Sequence, residues 1–561
     1  MGRLKKIGRV LLKLLGGFTV LFFLFLIYFF WRIQIPTPDI DSDLTPQSFT
    51  RKQISPDYYQ VNNCWLRKNK YGIWEMYIEG GDYERGVIYG VLAKELIEKQ
   101  EVCFVNQINE LVPNKAYQIV LKYFVAWFNK DIYKFIPVEN QKEIYGISLS
   151  FSDRFDYIGP KYYRILNYHA AHDIGHALND YSMVGCTSFA VTKEYSADST
   201  LLIARNFDFY MGDEFAQEKL LIFVNPKSEY KYASYSWAGL TGVVSGMNEK
   251  GLTVTINASK SDIPFASKEP ISILAREILQ YAKNIEEAIK IAKQRETFVS
   301  ESLLIGSAED NEAIIIEKSP QKIDINRGTK NKLVCANHYQ SKLFMQDSIN
   351  LKNISNSDSK YRFDRVNELL NENIPLTQSN AIEILRNKEG MSGKNIGLAN
   401  PKSINQLIAH HSVIFKPNKM KMWVSTPPYQ LGEFVCYDLK EVFKKSEKYI
   451  VDSLNIKEDI FIHSNEYKKY ESNKNTKQKI KKFVLFSIPY YLDSISEIQL
   501  INSNPNSYAT YMEIGDYYKK TGEYLKAKKY YKHSLELEVA SKNEIETINQ
   551  HILECEKKLS K

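Results

Sequence analysis

The chain has 561 residues, a formal charge of +8, 44% hydrophobic residues and 13% aromatics. This exceeds one ordinary domain, and the composition excludes disordered, collagen-like and disulfide-framed classes, while a mean hydropathy of −0.36 excludes a polytopic membrane protein. Residues 1–31 carry +5 (Arg3, Lys5, Lys6, Arg9, Lys13, no acid), 441–561 carry +3 and 32–440 are neutral, so the middle has no clustered basic footprint for nucleic acid.

Leu14 to Trp31 is an almost unbroken apolar run. As a helix rising ~1.5 Å per residue it spans about 27 Å, close to a ~30 Å bilayer core. The flank before it is basic and the flank after it is mixed and acidic, which keeps the N-terminus cytosolic and places the rest on the non-cytosolic side, periplasmic or extracellular. The segment FFWRIQIPTP offers no small residues for signal cleavage, so residues 1–31 read as a basic flank and uncleaved signal anchor, with a cleaved signal peptide as the alternative. No cysteine follows closely enough for a lipid-modified terminus.

Residues 32–50, with Pro36, Pro38 and Pro46, read as a linker. From about 72 to 180 the pattern is mostly helical, as in VIYGVLAKELIEK and the aromatic-rich AYQIVLKYFVAWF. At Cys186 the character changes. CTSFAVT, KEYSADST and LLIARNFDF predict strand, turn and strand, and KLLIFVN, SYSWAGL, GVVSGMN and LTVTINA predict further strands. ISILAREILQYA and IEEAIKIAKQ predict a helix pair. Strands return in SLLIGSA, AIIIEKS and KLVCANH, Tyr361 to Leu370 is helical, and SVIFKPN with KMWVST predicts a final hairpin. Residues 51–440 therefore form the central domain, expected as stacked sheets covered by helices.

Residues 441–500 are expected to be linker and helices, with a Lys-rich linker at 464–482. In 501–561, Tyr511, Ile514, Gly515, Tyr518, Gly522, Tyr524, Ala527 and Tyr531 fall at the spacings of one tetratricopeptide repeat. Small residues there let two antiparallel helices approach, and aromatics fill the groove. One repeat is fewer than the stack of about three that usually stands alone. The tail is thus expected to pack on something or to form a short capped end, and it is the candidate contact for a protein partner.

The cysteines are Cys64, Cys103, Cys186, Cys335, Cys436 and Cys555. No CxxC occurs, which argues against zinc-knuckle and thioredoxin-type sites. The informative segment is Gly185-Cys186-Thr187-Ser188, followed by Arg205-Asn206-Phe207-Asp208. A lone cysteine is commonly a small buried hydrophobe, and an Arg and an Asp three apart are commonly a solvated pair. Here the cysteine opens a strand after a glycine, and the returning strand carries Arg205 and Asp208 beside it. A guanidinium favours thiolate, and a carboxylate orients a terminal amine. A rival site is His169, His172 and His176. His172 and His176 stand at the i, i+4 spacing of HExxH zinc sites, but Asp173, Ile174 and Gly175 lie between them, with no Glu as base. Structural roles are expected for these three, for His338 and for His410-His411, with zinc as the alternative for the first set.

Together with Gly246-Met247-Asn248-Glu249-Lys250-Gly251-Leu252, these motifs resemble the N-terminal-nucleophile (Ntn) hydrolases. They resemble in particular the group of acyl-coenzyme A:6-aminopenicillanate acyltransferase (peptidase family C45), and more distantly choloylglycine hydrolases and acid ceramidase. Gly81-Asp82-Tyr83-Glu84-Arg85-Gly86 with Gly90 resembles that group's leader, and Gly432-Glu433-Phe434 its late strand pair. The resemblance covers about residues 72–440. It implies an α+β fold, the four-layer αββα sandwich. It also implies self-cleavage between 185 and 186 into fragments of 185 and 376 residues. The thiol attacks the preceding carbonyl, and the ester from the N-to-S shift is hydrolysed. The freed α-amine of Cys186 then acts as base for its own thiol, since the two titrate near ~7.7–8.0 and ~8.5. Arg205 and Asp208 match the family pair beside the nucleophile, Asn257 the oxyanion donor and Asn337 a second site Asn. The later site Arg falls on Arg362, with Arg365 one turn on as the alternative. No cofactor or metal is implied. The implied substrate is a small molecule or peptide with a linear amide bond, hydrolysed through a thioester. Transfer of the acyl group to an amine, or an inactive scaffold docking a partner through the tail, are the alternatives.

Overall fold

The computed structural model of the protein describes residues 2–170, 173, 184–262, 264, 266–329 and 331–560. His172 and His176 lie outside the described residues. The chain opens with helix α1 (Gly2–Arg32), whose apolar stretch contains no buried residue and which is long and apolar enough to cross a membrane. Strands β1 (Lys52–Ser55), β2 (Tyr58–Val61), β3 (Cys64–Lys68) and β4 (Trp74–Gly80) follow, so the helical stretch expected from about 72 starts later. Trp74 to Ile78 are all buried. A strand covered on both faces shows no alternation, which is why a periodicity reading passes over it.

Next come helices α2 (Asp82–Leu111), α3 (Lys115–Asn129), α4 (Val138–Ser148) and α5 (Lys161–His169). The glycines of the leader motif set how closely α2 and α4 pack. A Cβ on Gly86 would lie 2.1 Å from the Glu143 carbonyl oxygen, and one on Gly90 2.7 Å from Ser150 Oγ. The strand run then proceeds as β5 (Val184–Lys193), β6 (Ser199–Phe209), β7 (Leu220–Pro226), β8 (Tyr232–Ser236), β9 (Ser245–Asn248) and β10 (Leu252–Ala258). The expected helix pair is α6 (Ile271–Tyr281) and α7 (Ile285–Gln294). Asn284 starts α7 by accepting from Glu287 N–H, and Ile285, Ala288 and Ala292 form its buried stripe. Strands β11 (Glu301–Ser307), β12 (Glu312–Lys318), β13 (Ile323–Asn326) and β14 (Lys332–Cys335) precede helices α8 (Ser348–Asn356), α9 (Ser359–Glu372) and α10 (Gln378–Leu385). Strands β15 (Ala409–Lys416), β16 (Lys421–Ser425) and β17 (Phe434–Asp438) complete the sheets.

The strands form two sheets. One has eleven strands, in the order β1-β2-β3-β4-β7-β8-β9-β10-β11-β12-β13, and the other six, in the order β14-β5-β6-β15-β16-β17. Antiparallel pairing prevails, and β4 joins β7 in parallel, from Trp74 opposite Leu220 to Gly80 opposite Pro226. Tyr77, Phe223, Met247 and Leu304 of the large sheet meet Ile203, Val413, Phe415 and Val435 of the small one in a shared core. The other face of the large sheet packs on α2, α4, α5, α6 and α7, and that of the small sheet on α9 and α10. The layers are thus helix, sheet, sheet, helix.

After the short α11 (Leu439–Phe443), the Lys-rich stretch read as linker forms a 22-residue helix, α12 (Asn465–Phe486). Ser464 caps it, Tyr467, Tyr470 and Ile480 are buried, and Phe483 and Val484 pack on the core of the tail, so a few anchors order a helix that is Lys-rich over most of its length. Helices α13 (Ser494–Ser503), α14 (Tyr508–Thr521), α15 (Tyr524–Glu536) and α16 (Lys542–Leu559) end the chain. Gly515 on α14 lies under the Tyr531 ring of α15, where a Cβ would come within 2.8 Å. Gly522 ends α14 with φ +86°, as a left-handed cap requires. The tail docks on the central domain: Asn504 accepts from Leu398 N–H and donates to its carbonyl, and Asn400 donates to Glu538 O.

Candidate active site

Strand β5 enters the small sheet at Val184, two residues before the cysteine. Its antiparallel register with β6 sets Gly185 opposite Asp208, Cys186 opposite Phe207 and Ser188 opposite Arg205. Side chains alternate across a sheet, so Arg205 and Asp208 flank the cysteine on opposite faces of β6. Both expected neighbours are there, Asp208 opposite Gly185 and Arg205 opposite Ser188.

Arg205 is wholly buried between the sheets. It donates Nη2 to Cys186 Sγ at 3.6 Å and Nη1 to Val244 O at 2.7 Å, with further bonds to Ser245 Oγ and Ile256 O, and its guanidinium sits 4.3 Å from the Phe207 ring centroid. Ser245 Oγ in turn meets His411 Nε2 at 2.9 Å, and His411 meets His410. Burial depresses the Arg205 pKa, while the thiol and carboxylates nearby oppose that. Burial pushes the Cys186 thiol up to about 11; Arg205 pulls it back, and Asp208 and Glu301 add to the rise. In the intact chain the thiol is therefore protonated at neutral pH.

On the other face, Asp208 is buried and neither carboxyl oxygen has a hydrogen-bond partner among the described residues. Burial drives its pKa up to about 8, against the pull of Arg362 and Arg205. Arg362, on α9, donates to Cys186 O at 3.0 Å, to Thr187 Oγ1 at 3.1 Å and to Asn337 Oδ1 at 2.7 Å. Arg365 instead bonds Glu368 and Asn387, so Arg362 is the one that reaches the cysteine. Asn337 accepts from the Cys186 N–H at 3.0 Å, and Ser359 and Asn353 hold its own backbone.

Asn257 accepts from Ser188 Oγ at 2.8 Å and donates to Cys335 O at 3.1 Å and Ala336 O at 3.4 Å. It pins the two sheets together beside the site, and its N–H groups are engaged with backbone carbonyls. His169 accepts from Thr241 N–H at Nε2 and places Nδ1 2.8 Å from Ile165 O; burial lowers its pKa to about 4. Both ring nitrogens are thus in use. His338 bonds Ser359 and is likewise lowered to about 4 by burial, with Arg362 nearby. Among the described residues no group of three or more His, Cys, Asp or Glu is arranged to hold a metal ion, and all six thiols are free.

Sequence reasoning passed over Gln406. It is buried, its Nε2 has no hydrogen-bond partner among the described residues, and that atom lies 2.9 Å from where a Cβ on Gly185 would be. It also passed over Ser245 behind Arg205, while His411, expected to be structural, stands behind Ser245. No motif marks Gln406 or Ser245, because each comes from a distant loop or strand.

Residues 195–428 match the family model described as Acyl-coenzyme A:6-aminopenicillanic acid acyl-transferase. That is the group the sequence motifs resemble; the matched range starts after Cys186 and contains Arg205, Asp208, Asn257, Asn337 and Arg362. An uncharacterized protein of Archaeoglobus fulgidus is 25% identical over 275 residues, 45% of this chain and 45% of that protein, so the chain spans under half the length of this curated relative. Similar solved structures include the Caenorhabditis elegans ortholog of N-acylethanolamine-hydrolyzing acid amidase (14% identity, 42% of this chain and 93% of that one, TM-score 0.30). Penicillin V acylase from Agrobacterium tumefaciens is another (15%, 46% and 87%, TM-score 0.32), as is a mutant conjugated bile acid hydrolase from Clostridium perfringens (14%, 46% and 93%, TM-score 0.31).

Proposed function

We propose that this chain is a membrane-anchored, self-processing cysteine amidohydrolase of the Ntn type. The observation that carries the reading is the setting of Cys186: a buried thiol after a glycine, with Arg205 on its sulfur and with Asn337 and Arg362 on its backbone. In the intact chain the sulfur attacks the Gly185 carbonyl carbon. The Gly185–Cys186 C–N bond breaks, and the thiol proton ends on the departing nitrogen, leaving a thioester and a free α-amine. Water then hydrolyses the thioester.

The α-amine so released takes the thiol proton of Cys186, with Asp208 opposite Gly185 in register to orient it. The thiolate attacks the amide carbonyl of a small-molecule or peptide substrate. The C–N bond breaks, the leaving amine takes the proton, and water cleaves the acyl thioester. Arg205 steadies sulfur as thiolate, and Arg362 with Asn337 fixes the nucleophile's backbone. Hydrolysis is favoured over transfer on this reading, because an anchor with its basic flank in the cytosol would put the catalytic domain on the other side, where acyl-coenzyme A is absent. The helical tail follows the spacing of one tetratricopeptide repeat and packs on the catalytic domain.

The test is a denaturing gel with N-terminal sequencing of the purified chain. A 376-residue fragment beginning Cys-Thr-Ser is expected, and it should vanish in Cys186→Ala along with hydrolysis of N-acyl amides. A parent chain that stays intact through long incubation would refute self-processing.

A further inference from the structure

Helix α3 is built inside out. Eleven of its fifteen residues are apolar or aromatic, yet its one buried residue is Asn129. Tyr117, Ile119, Val120 and Phe124 are 52–63% exposed. A surface helix of a globular domain turns its apolar stripe to the core, so an apolar helix whose large side chains face outward calls for a covering medium. The helix itself is well formed at its start, because Asn114 Oδ1 accepts from Ala116 N–H and Tyr117 N–H.

The position of α3 says what covers it. Its C-terminal half is fastened to the end of α1. Trp127 stacks on Phe29 with ring centroids 5.3 Å apart, and Tyr123 meets the rings of Phe29 and Phe30 at 6.2 and 5.6 Å. Just beyond, Arg32 pairs with Asp131 at 2.7 Å. The exposed apolar surface of α1 therefore runs without a break onto α3, at the level where the spanning segment gives way to charge. Tyr and Trp are the side chains that settle at that level, with an apolar body inward and a polar tip in the headgroups. Lys115 and Lys122 add basic charge to the same helix, their ammonium groups bonding Asn109 Oδ1 and Tyr157 O, and long lysine stems allow such a charge to turn to headgroups.

We propose that α3 lies in the interfacial layer of the bilayer that α1 crosses, as a second membrane contact that holds the catalytic domain flat against the lipid. The inference rests on reading α1 as an anchor. A partner of this kind needs no shape complementarity, only continuity of apolar surface and a flanking aromatic and basic rim.

The test uses the full chain in phosphatidylcholine–phosphatidylglycerol nanodiscs, with the photo-crosslinker p-benzoylphenylalanine in place of one residue at a time. Phe124→p-benzoylphenylalanine and Val120→p-benzoylphenylalanine report on α3, the same replacement of Phe23 reports on α1, and that of Glu383, whose side chain is 68% exposed far along the chain, is the aqueous control. After illumination, mass spectrometry of the peptides is expected to show lipid adducts at 23, 120 and 124 and none at 383. Adducts at 23 with none at 120 and 124 would overturn the proposal and leave the anchor standing. Protein–protein crosslinks at 120 and 124 in place of lipid would overturn it in favour of a second copy. No adduct at 23, 120 or 124 would overturn both readings.

Discussion

At the scale of single residues, the site is governed by what burial does to titration. Asp208 has its folded pKa raised to about 8, above an ordinary carboxyl near 3.9. Such a group adds stability below the unfolded pKa and loses it as pH rises through the folded one. Between pH 4 and 8 the intact chain should therefore lose stability steadily from this group as pH rises. In a Cys186→Ala background, which removes the thiol proposed to cut the chain, adding Asp208→Asn should widen the gap in urea midpoint in the variant's favour from pH 5 to 8. A constant gap would show that Asp208 titrates normally. Gly185 makes a second case. A Cβ there would press on Gln406 Nε2, the far end of a flexible side chain, so Gly185→Ala should slow the proposed self-cleavage and Gly185→Ala with Gln406→Ala should recover much of the rate, read as the fraction of 376-residue fragment over time. Cys186, Arg205 and Asp208 were legible because they lie on two consecutive strands. Gln406 and Ser245 were not, since their approach depends on strand order in three dimensions.

At the scale of elements, polar pins decide how layers sit on one another. Glu143 on α4 is buried between Arg85 on α2 and Arg276 on α6, within hydrogen-bond reach of both. Burial alone would raise its pKa, but Arg276 and Arg85 outweigh that and hold it at about 2. Glu143→Gln leaves two guanidinium groups underpaired and should cost about 3–5 kcal/mol at pH 7, the usual toll of breaking a buried pair. A folded pKa this low means the contribution is present above about pH 4.5 and fades toward pH 2, so the difference in denaturant midpoint should shrink in acid. Most elements from β5 to β12 and both helices α6 and α7 could be read from apolar runs punctuated by Gly, Asn and Pro. Strand β4 could not, because a doubly covered strand has no alternation. Helix α12 could not either, because a few anchoring side chains in a Lys-rich stretch give too weak a period.

At the scale of the whole molecule, the parallel ladder between β4 and β7 carries a consequence for the cut chain. If Gly185–Cys186 is severed, β1 to β4 remain with the shorter piece and β7 to β13 with the longer, yet all eleven strands belong to one sheet. Seven consecutive residue pairs, Trp74–Leu220 to Gly80–Pro226, would then be an interface between two polypeptides in the middle of that sheet. The mature protein would be an obligate heterodimer born from a single gene product, with its anchor on one subunit and its nucleophile on the other. The 376-residue piece should accordingly stay in the membrane fraction through an alkaline carbonate wash and come free only in urea, although among its described residues no helix is long and apolar enough to cross a membrane. Release by carbonate would mean that the sheet does not outlast the cut. Retention would make the sheet ladder together with the helix packing across the cut, with no covalent bond, the tether of the longer piece to the membrane.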